Sequence, residues 1–216
     1  MATKTKKVPN NQITKTTKLA VTAMLAAMSA VLMFFEFPLT FIAPEFYKLD
    51  FSEIPVLVGT FSMGPISGIV IEFIKILVKL LIKGTTTGGV GEFANFLIGC
   101  SFVLPAGFVY MYKKNRKSAI VGMTAGAITM ATVGVLLNTF VLVPMYSAFM
   151  PIEEIIRMGQ AIIPAIESTF TFCLFCVGPF NLVKGVIISV VVFFIYKPLS
   201  RLISNLDSIL SAKTGK

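Results

Sequence analysis

Five apolar runs dominate the chain and leave few ways for it to fold. They cover Leu19–Phe35, residues 52–83, about Gly91–Tyr112, about Ser118–Val141 and about Thr169–Tyr196. Runs of this length cannot all be hidden inside a water-soluble body of 216 residues. Hydrophobic residues make up 56% of the chain and charged residues 13%, against about 45–50% and about 25% in soluble domains. The fold class expected is an all-α membrane protein.

Charge placement sets the number of crossings. Lys4, Lys6, Lys7, Lys15 and Lys18 precede the first run, Lys113, Lys114, Arg116 and Lys117 follow the run ending at Tyr112, and Lys197, Arg201, Lys213 and Lys216 follow the last. Basic segments stay in the cytoplasm, which accounts for the net charge of +9 without a nucleic-acid partner. The first run ends in Phe34-Phe35-Glu36-Phe37-Pro38 rather than in small residues, so it reads as a retained helix and not as a cleaved signal. Residues 36–51 and 84–90 should then lie outside, and residues 52–83 begin and end on the same side. At about 1.5 Å per residue that segment is about 48 Å of helix, too long for one crossing of a core about 30 Å thick. It should cross twice, turning at Gly64-Pro65. The result is a bundle of six transmembrane helices with both termini cytoplasmic. Residues 1–18 form a basic tail, 19–203 a single domain without internal repeat, and 204–216 a second tail. Eight of the ten acids, all but Glu72 and Asp207, fall on the outer side. Residues 144–168 form an outer loop, in which Pro151, Glu153 and Glu154 start a short helix ending by Pro164.

Several chemistries are excluded. The chain has no His, so no histidine triad, histidine-ligated zinc or histidine proton shuttle exists. Cys100, Cys173 and Cys176 lie in apolar runs and read as small packing residues rather than ligands. The stretch Gly84–Gly89 resembles a phosphate loop only in composition and lacks the Gly-Lys-Ser/Thr of an ATP site. No catalytic residue, metal site or cofactor is expected. Any energy from ATP must come from another chain.

Polar groups inside membrane spans are costly and therefore functional candidates. Asn95 lies one turn from Glu92, Asn138 near the outer end of the fifth helix, and Asn181 and Lys184 one turn apart in the sixth. Amides that donate and accept, beside a charged donor, suit a flat heterocycle rimmed with carbonyls and ring nitrogens. Asparagines can also glue helices together. Removing the Lys184 charge is expected to leave insertion unharmed. Glu72 and Lys75 read as a neutralising pair within one helix. Ala23/Ala27 and Ala26/Ala30 place small residues four apart on the first helix, for close approach by another helix of this chain or of a partner. Gly122/Gly126 on the fifth helix read as internal packing.

These residues carry a resemblance. The alanine motif in the first helix, Gly91-Glu-Phe-Ala-Asn-Phe96, Leu137-Asn-Thr-Phe-Val-Leu-Val-Pro-Met-Tyr146 and Pro179-Phe-Asn-Leu-Val-Lys-Gly185 occur in the order seen in the substrate-binding S components of energy-coupling factor (ECF) vitamin transporters. The chain resembles the riboflavin-specific members over nearly its whole length. The resemblance implies a subunit of a bacterial cell membrane that binds riboflavin and related flavins from outside. It also implies docking on a transmembrane T subunit and two ABC-type ATPases through Ala23, Ala26, Ala27 and Ala30. Asn138, Asn181 and Lys184 would meet the isoalloxazine edge, with Asn95, Glu92 and Tyr146 beside them. Thr40, Phe41 and Ala43 would cover the ligand and touch the ribityl chain. The alternatives are an S component for another vitamin such as thiamin or pantothenate, a secondary transporter, or a lipid-active membrane enzyme. The last lacks a nucleophile or metal cluster, and a secondary transporter usually needs internal repeats and coupling carboxylates in mid-membrane, of which Glu72 alone qualifies.

Overall fold

The computed structural model describes residues 14–85 and 87–213. The charges expected at Lys4, Lys6, Lys7 and Lys216, and the loop residue Thr86, lie outside the described residues, as do the side chains of Lys197, Arg201 and Lys213. The chain is helical nearly throughout. Helix α1 runs Lys15–Phe34, with the Thr14 side chain accepting from Thr17 N–H at its start. A hairpin with two-residue strands follows, β1 (Phe37–Pro38) pairing antiparallel with β2 (Lys48–Leu49). Helices α2 (Glu53–Met63) and α3 (Pro65–Lys83) break at Gly64, whose φ of 99° is open to glycine, while Pro65 opens α3 where its missing N–H costs nothing. Next come α4 (Val90–Tyr112) and α5 (Arg116–Leu137), the latter capped by Asn115 accepting from Ser118 N–H.

Two π-helical turns interrupt the remaining helices, and each stands just before a proline. The first, Asn138–Leu142, leads into α6 (Val143–Tyr146) with Pro144; the second, Cys173–Val177, joins α8 (Thr169–Phe172) to α9 (Gly178–Lys213) with Pro179. A proline ring cannot donate to, and clashes with, the carbonyl four residues back, and one wider turn relieves that conflict. Between them α7 (Ile152–Gln160) carries Glu153 and Glu154 in its first turn after Pro151, as its sequence predicts.

Lys15–Phe34, Val90–Tyr112, Arg116–Tyr146 and Thr169–Tyr196 are each long and apolar enough to cross a membrane. Helix α3 is comparably long but carries Glu72, Lys75, Lys79 and Lys83. Helix α2 is short, and every residue from Pro55 to Phe61 is buried, enclosed by α1, α3, α4 and α9. Without a hydrophobic drive between helices in lipid, close backbone approach provides the packing. Gly122 and Gly126 of α5 lie against the backbone of Ala106 and Phe102 in α4, where a β-carbon would overlap a carbonyl oxygen. The two alanine pairs of α1 separate: Ala26 and Ala30 are buried within the fold, while Ala23 and Ala27 are exposed beside Met24 and Met28. Ala26 and Ala30 therefore serve internal packing, a correction to their expected place on a partner-facing surface. The Gly64–Pro65 turn adjoins Gly107 and Met111 of α4, next to the Lys113–Lys117 cluster. Phe61, Tyr110 and Tyr196 form an aromatic group at this same end.

Candidate ligand-binding site

The opposite end of the bundle holds a cavity of about 440 Å³. Its wall takes Asn138, Asn181 and Lys184 from the helices on either side of the α7 loop, and Glu92 and Asn95 from the start of α4. Tyr146 comes from α6, Phe149 and Met150 from the segment leading into α7, Ile155 from α7 itself, and Phe180 from α9. Residues far apart in sequence thus converge on one space of mixed character, with aromatic and aliphatic faces and a polar edge, which is the usual make-up of a small-molecule site.

The polar groups are positioned by their own helices. Asn138 opens the first π-helical turn; its amide donates to Gly134 O at 2.8 Å, and its Oδ1 accepts from the Tyr47 hydroxyl at 2.7 Å. Asn181, just beyond the second π-helical turn, donates from Nδ2 to Val177 O at 3.0 Å. Its Nδ2 also presses on Gly134, where a β-carbon would stand 2.5 Å away. Asn181 keeps its Oδ1, an acceptor, and the second N–H of its amide for anything in the cavity. Lys184, 6% exposed, donates to Asp50 Oδ2 at 3.0 Å and keeps two further N–H donors. An acceptor beside donors is the complement of an imide-like edge, in which an N–H lies between carbonyls. Glu92 accepts from the Thr85 hydroxyl at 2.9 Å, and Asn95 donates to Gly91 O at 3.3 Å.

The segment joining α1 to α2 supplies residues that sequence reading missed. Asp50 is buried; burial works to raise its pKa, yet the charges of Lys184 and then Lys75, with hydrogen bonds from Ser52, hold it well below the usual carboxylate range. Burial, joined by the nearby Cys173, raises the Tyr47 phenol well above its ordinary value, so it stays a donor to Asn138. At the mouth, Glu36 receives Lys79 at 3.0 Å, Lys83 at 2.5 Å and Lys48 at 3.3 Å. Burial opposes its ionisation, but hydrogen bonds from Lys83 and Lys79 bring its pKa to about 2. No local pattern announces Asp50 or Tyr47, whose partners are 134 and 91 positions away. An acid just ahead of a short, strongly apolar helix is the hint the sequence offers.

Thr40, Phe41 and Ala43 do not line the cavity. Pairing of β1 with β2 turns residues 40–43 toward the hairpin's tip, where Phe41 is 75% exposed and Ala43 packs into an apolar cluster with Leu49, Phe172 and Phe180. The hairpin's contribution comes instead from Phe46, Tyr47, Lys48 and Asp50.

Residues 17–196 match the family model for the ECF transporter, substrate-specific component. The chain belongs to this family. An S component is part of a transporter and not of an enzyme family, and the four long apolar helices among the described residues mark this one as a multi-pass bacterial membrane protein. Its relatives agree. It is 35% identical over 189 residues to the riboflavin transporter RibU of Staphylococcus aureus (strain TCH60), covering 88% of this chain and 93% of that one. It is 31% identical over 185 residues to the riboflavin transporter FmnP of Bacillus subtilis (strain 168), covering 84% and 91%. The fold is similar to that of a solved S component of a bacterial ECF transporter, with a TM-score of 0.69 and 35% identity, over 88% of this chain and 98% of that one.

Proposed function

We propose that this S component captures riboflavin, and related flavins, from outside a bacterial cell and delivers it to an ECF-type importer. The observation that carries the reading is the convergence of Asn138, Asn181 and Lys184 on the edge of a cavity of about 440 Å³ with aromatic walls. The free Oδ1 of Asn181 accepts the flavin's imide N–H, and the spare donors of Lys184 reach a flanking carbonyl. Phe46, Tyr146, Phe149 and Phe180 offer the ring system faces and edges to pack on. Flavin is favoured over another vitamin because the relatives just described are riboflavin transporters by name.

In this reading the helices cross six times, with both termini in the cytoplasm and the cavity facing out. At about 1.5 Å per residue α2 is about 17 Å long and cannot span lipid by itself. It need not, because its neighbours enclose it. The proximity of the Gly64–Pro65 turn to the basic end of α4 supports two crossings between residues 52 and 83. The exposed Ala23/Ala27 face of α1 is the docking surface for a transmembrane T subunit, which with two ABC-type ATPases supplies the energy this chain's sequence has no motif to harvest.

Purification tests this directly. The protein should come off a column yellow, with a flavin absorption spectrum, or bind added riboflavin once stripped. A colourless preparation that fails to bind riboflavin overturns the reading.

A further inference from the structure

A second buried set of charges lies outside the cavity, where the segment before α2 meets α2, α3 and α4. Lys75, Glu72 and Glu53 are all buried. The Lys75 ammonium stands 2.6 Å from Glu53 Oε1, 2.8 Å from Glu72 Oε1 and 2.9 Å from Ser52 Oγ. An ammonium has three donors, and these three contacts exhaust it. Among the described residues Glu53 Oε2 and Glu72 Oε2 then have no hydrogen-bond donor, and Glu72 Oε1 has the ion-pair contact alone. Buried carboxylate oxygens without donors are rare in native proteins and call for an explanation.

The charges do not balance either. Asp50 is matched by Lys184, which leaves two carboxylates against one ammonium. The Cys100 thiol of α4 is near the pair and brings no positive charge. Helix α1 contributes the Ser29 hydroxyl, which donates to the Ser52 carbonyl oxygen. Glu72 Oε1 is pressed against Gly99 of α4 so closely that a β-carbon there would overlap it. An unmatched ion in so dry a contact is strongly unfavourable, and such groups neutralise instead.

We propose that Glu53 and Glu72 form a proton-binding site, the two carboxyl groups sharing one proton taken from water as the helices assemble. One carboxyl O–H bond forms as one O–H bond of a hydronium ion in the surrounding water breaks and leaves neutral water, and the set becomes one acid, one carboxylate and one ammonium, with no net charge. The new O–H is the donor that Lys75 cannot supply. The site is also wired to the cavity. Lys75 donates to Ser52 Oγ, the Ser52 N–H donates to Asp50 Oδ1 at 2.8 Å, and Asp50 Oδ2 holds Lys184.

Infrared spectroscopy of the purified full-length protein at neutral pH, in water and in heavy water, tests the proposal without reference to any ligand. The wild type should show the carbonyl stretch of a protonated carboxylic acid. Glu53→Gln and Glu72→Gln each leave one carboxylate facing Lys75, so each should lose that band. Lys75→Met removes the ammonium, so both acids should be protonated and the band should roughly double. A wild-type spectrum without the band overturns the proposal, as does a band that persists in either glutamine variant. A missing band together with a melting temperature raised by sodium or potassium assigns the site to a metal cation and overturns it equally. The wild-type spectrum decides even if a variant fails to fold.

Discussion

Neutralising the Lys184–Asp50 pair separates two roles of one lysine. Nζ and Oδ2 are 3.0 Å apart, and the two side chains are 8% and 5% exposed. Lys184→Met strands the Asp50 carboxylate, and Asp50→Asn strands the Lys184 ammonium. Breaking a buried pair costs about 3–5 kcal/mol, and the residual exposure here places each single variant near about 3 kcal/mol. The double variant Asp50→Asn/Lys184→Met leaves no charge unmatched, and its stability should return to within about 1 kcal/mol of wild type. Binding should behave differently. A charge-assisted hydrogen bond to the flavin is worth about 1.5–3 kcal/mol, so both variants that lack Lys184 should bind riboflavin roughly 10- to 100-fold more weakly. Asp50→Asn keeps the lysine and should lose less. Thermal unfolding in one detergent, with riboflavin titrations followed by flavin fluorescence, measures both quantities. A double variant destabilised by the sum of the singles refutes the pairing argument. A double variant that binds riboflavin like wild type refutes contact between Lys184 and the ligand. The sequence on its own implies the opposite sign for stability, since a membrane helix gains by losing a charge; the Asp50 partner reverses it.

That reversal marks the boundary of what the chain's pattern conveys. Apolar run lengths, the Gly64-Pro65 break and the Pro151 helix start are local signals, and each appears in the fold at its expected place. Asn138, Asn181 and Lys184 stood out because a polar group within a span is costly wherever it points, and all three line the cavity. What the hairpin segment contributes was not legible. Thr40, Phe41 and Ala43 are displaced from the cavity because β1 and β2 pair across nine intervening residues, leaving Phe46, Tyr47, Lys48 and Asp50 at the wall. The Glu72–Lys75 pair was legible as an i, i+3 contact, but its third member, Glu53, comes from the preceding helix. The two alanine pairs of α1 look alike in sequence. Only the packing of α2 and α3 against one side of α1 decides that Ala26 is buried and Ala27 exposed.

Gly134→Val should push the Asn181 amide out of place, because an added β-carbon alone would stand 2.5 Å from its Nδ2; riboflavin affinity should fall about tenfold, the worth of one neutral hydrogen bond, and an unchanged affinity would show that the amide does not face the ligand. Ala27→Arg should leave riboflavin binding by the purified protein intact and abolish uptake by cells, and a well-folded variant that fails to bind would move α1 into the site. The last prediction concerns acid. Glu36 has a folded-state pKa of about 2 against an ordinary 4.5, because Lys83 and Lys79 hydrogen-bond to its ionised form and outweigh the effect of burial. A depressed carboxyl pKa stabilises the fold above the ordinary value, and that stabilisation is lost as pH falls through the folded-state value. The wild type should therefore lose melting temperature between pH 4.5 and about 2 through this residue, and Glu36→Gln, with nothing to titrate there, should lose less over the same window. The difference should be small and should shrink further in high salt, because the carboxylate is only partly buried and two of its lysines, Lys48 and Lys83, are about half exposed and screened by solvent. Equal acid sensitivity of wild type and variant at low salt would show that the three lysines at the cavity mouth do not depend on Glu36 to hold the hairpin against α3.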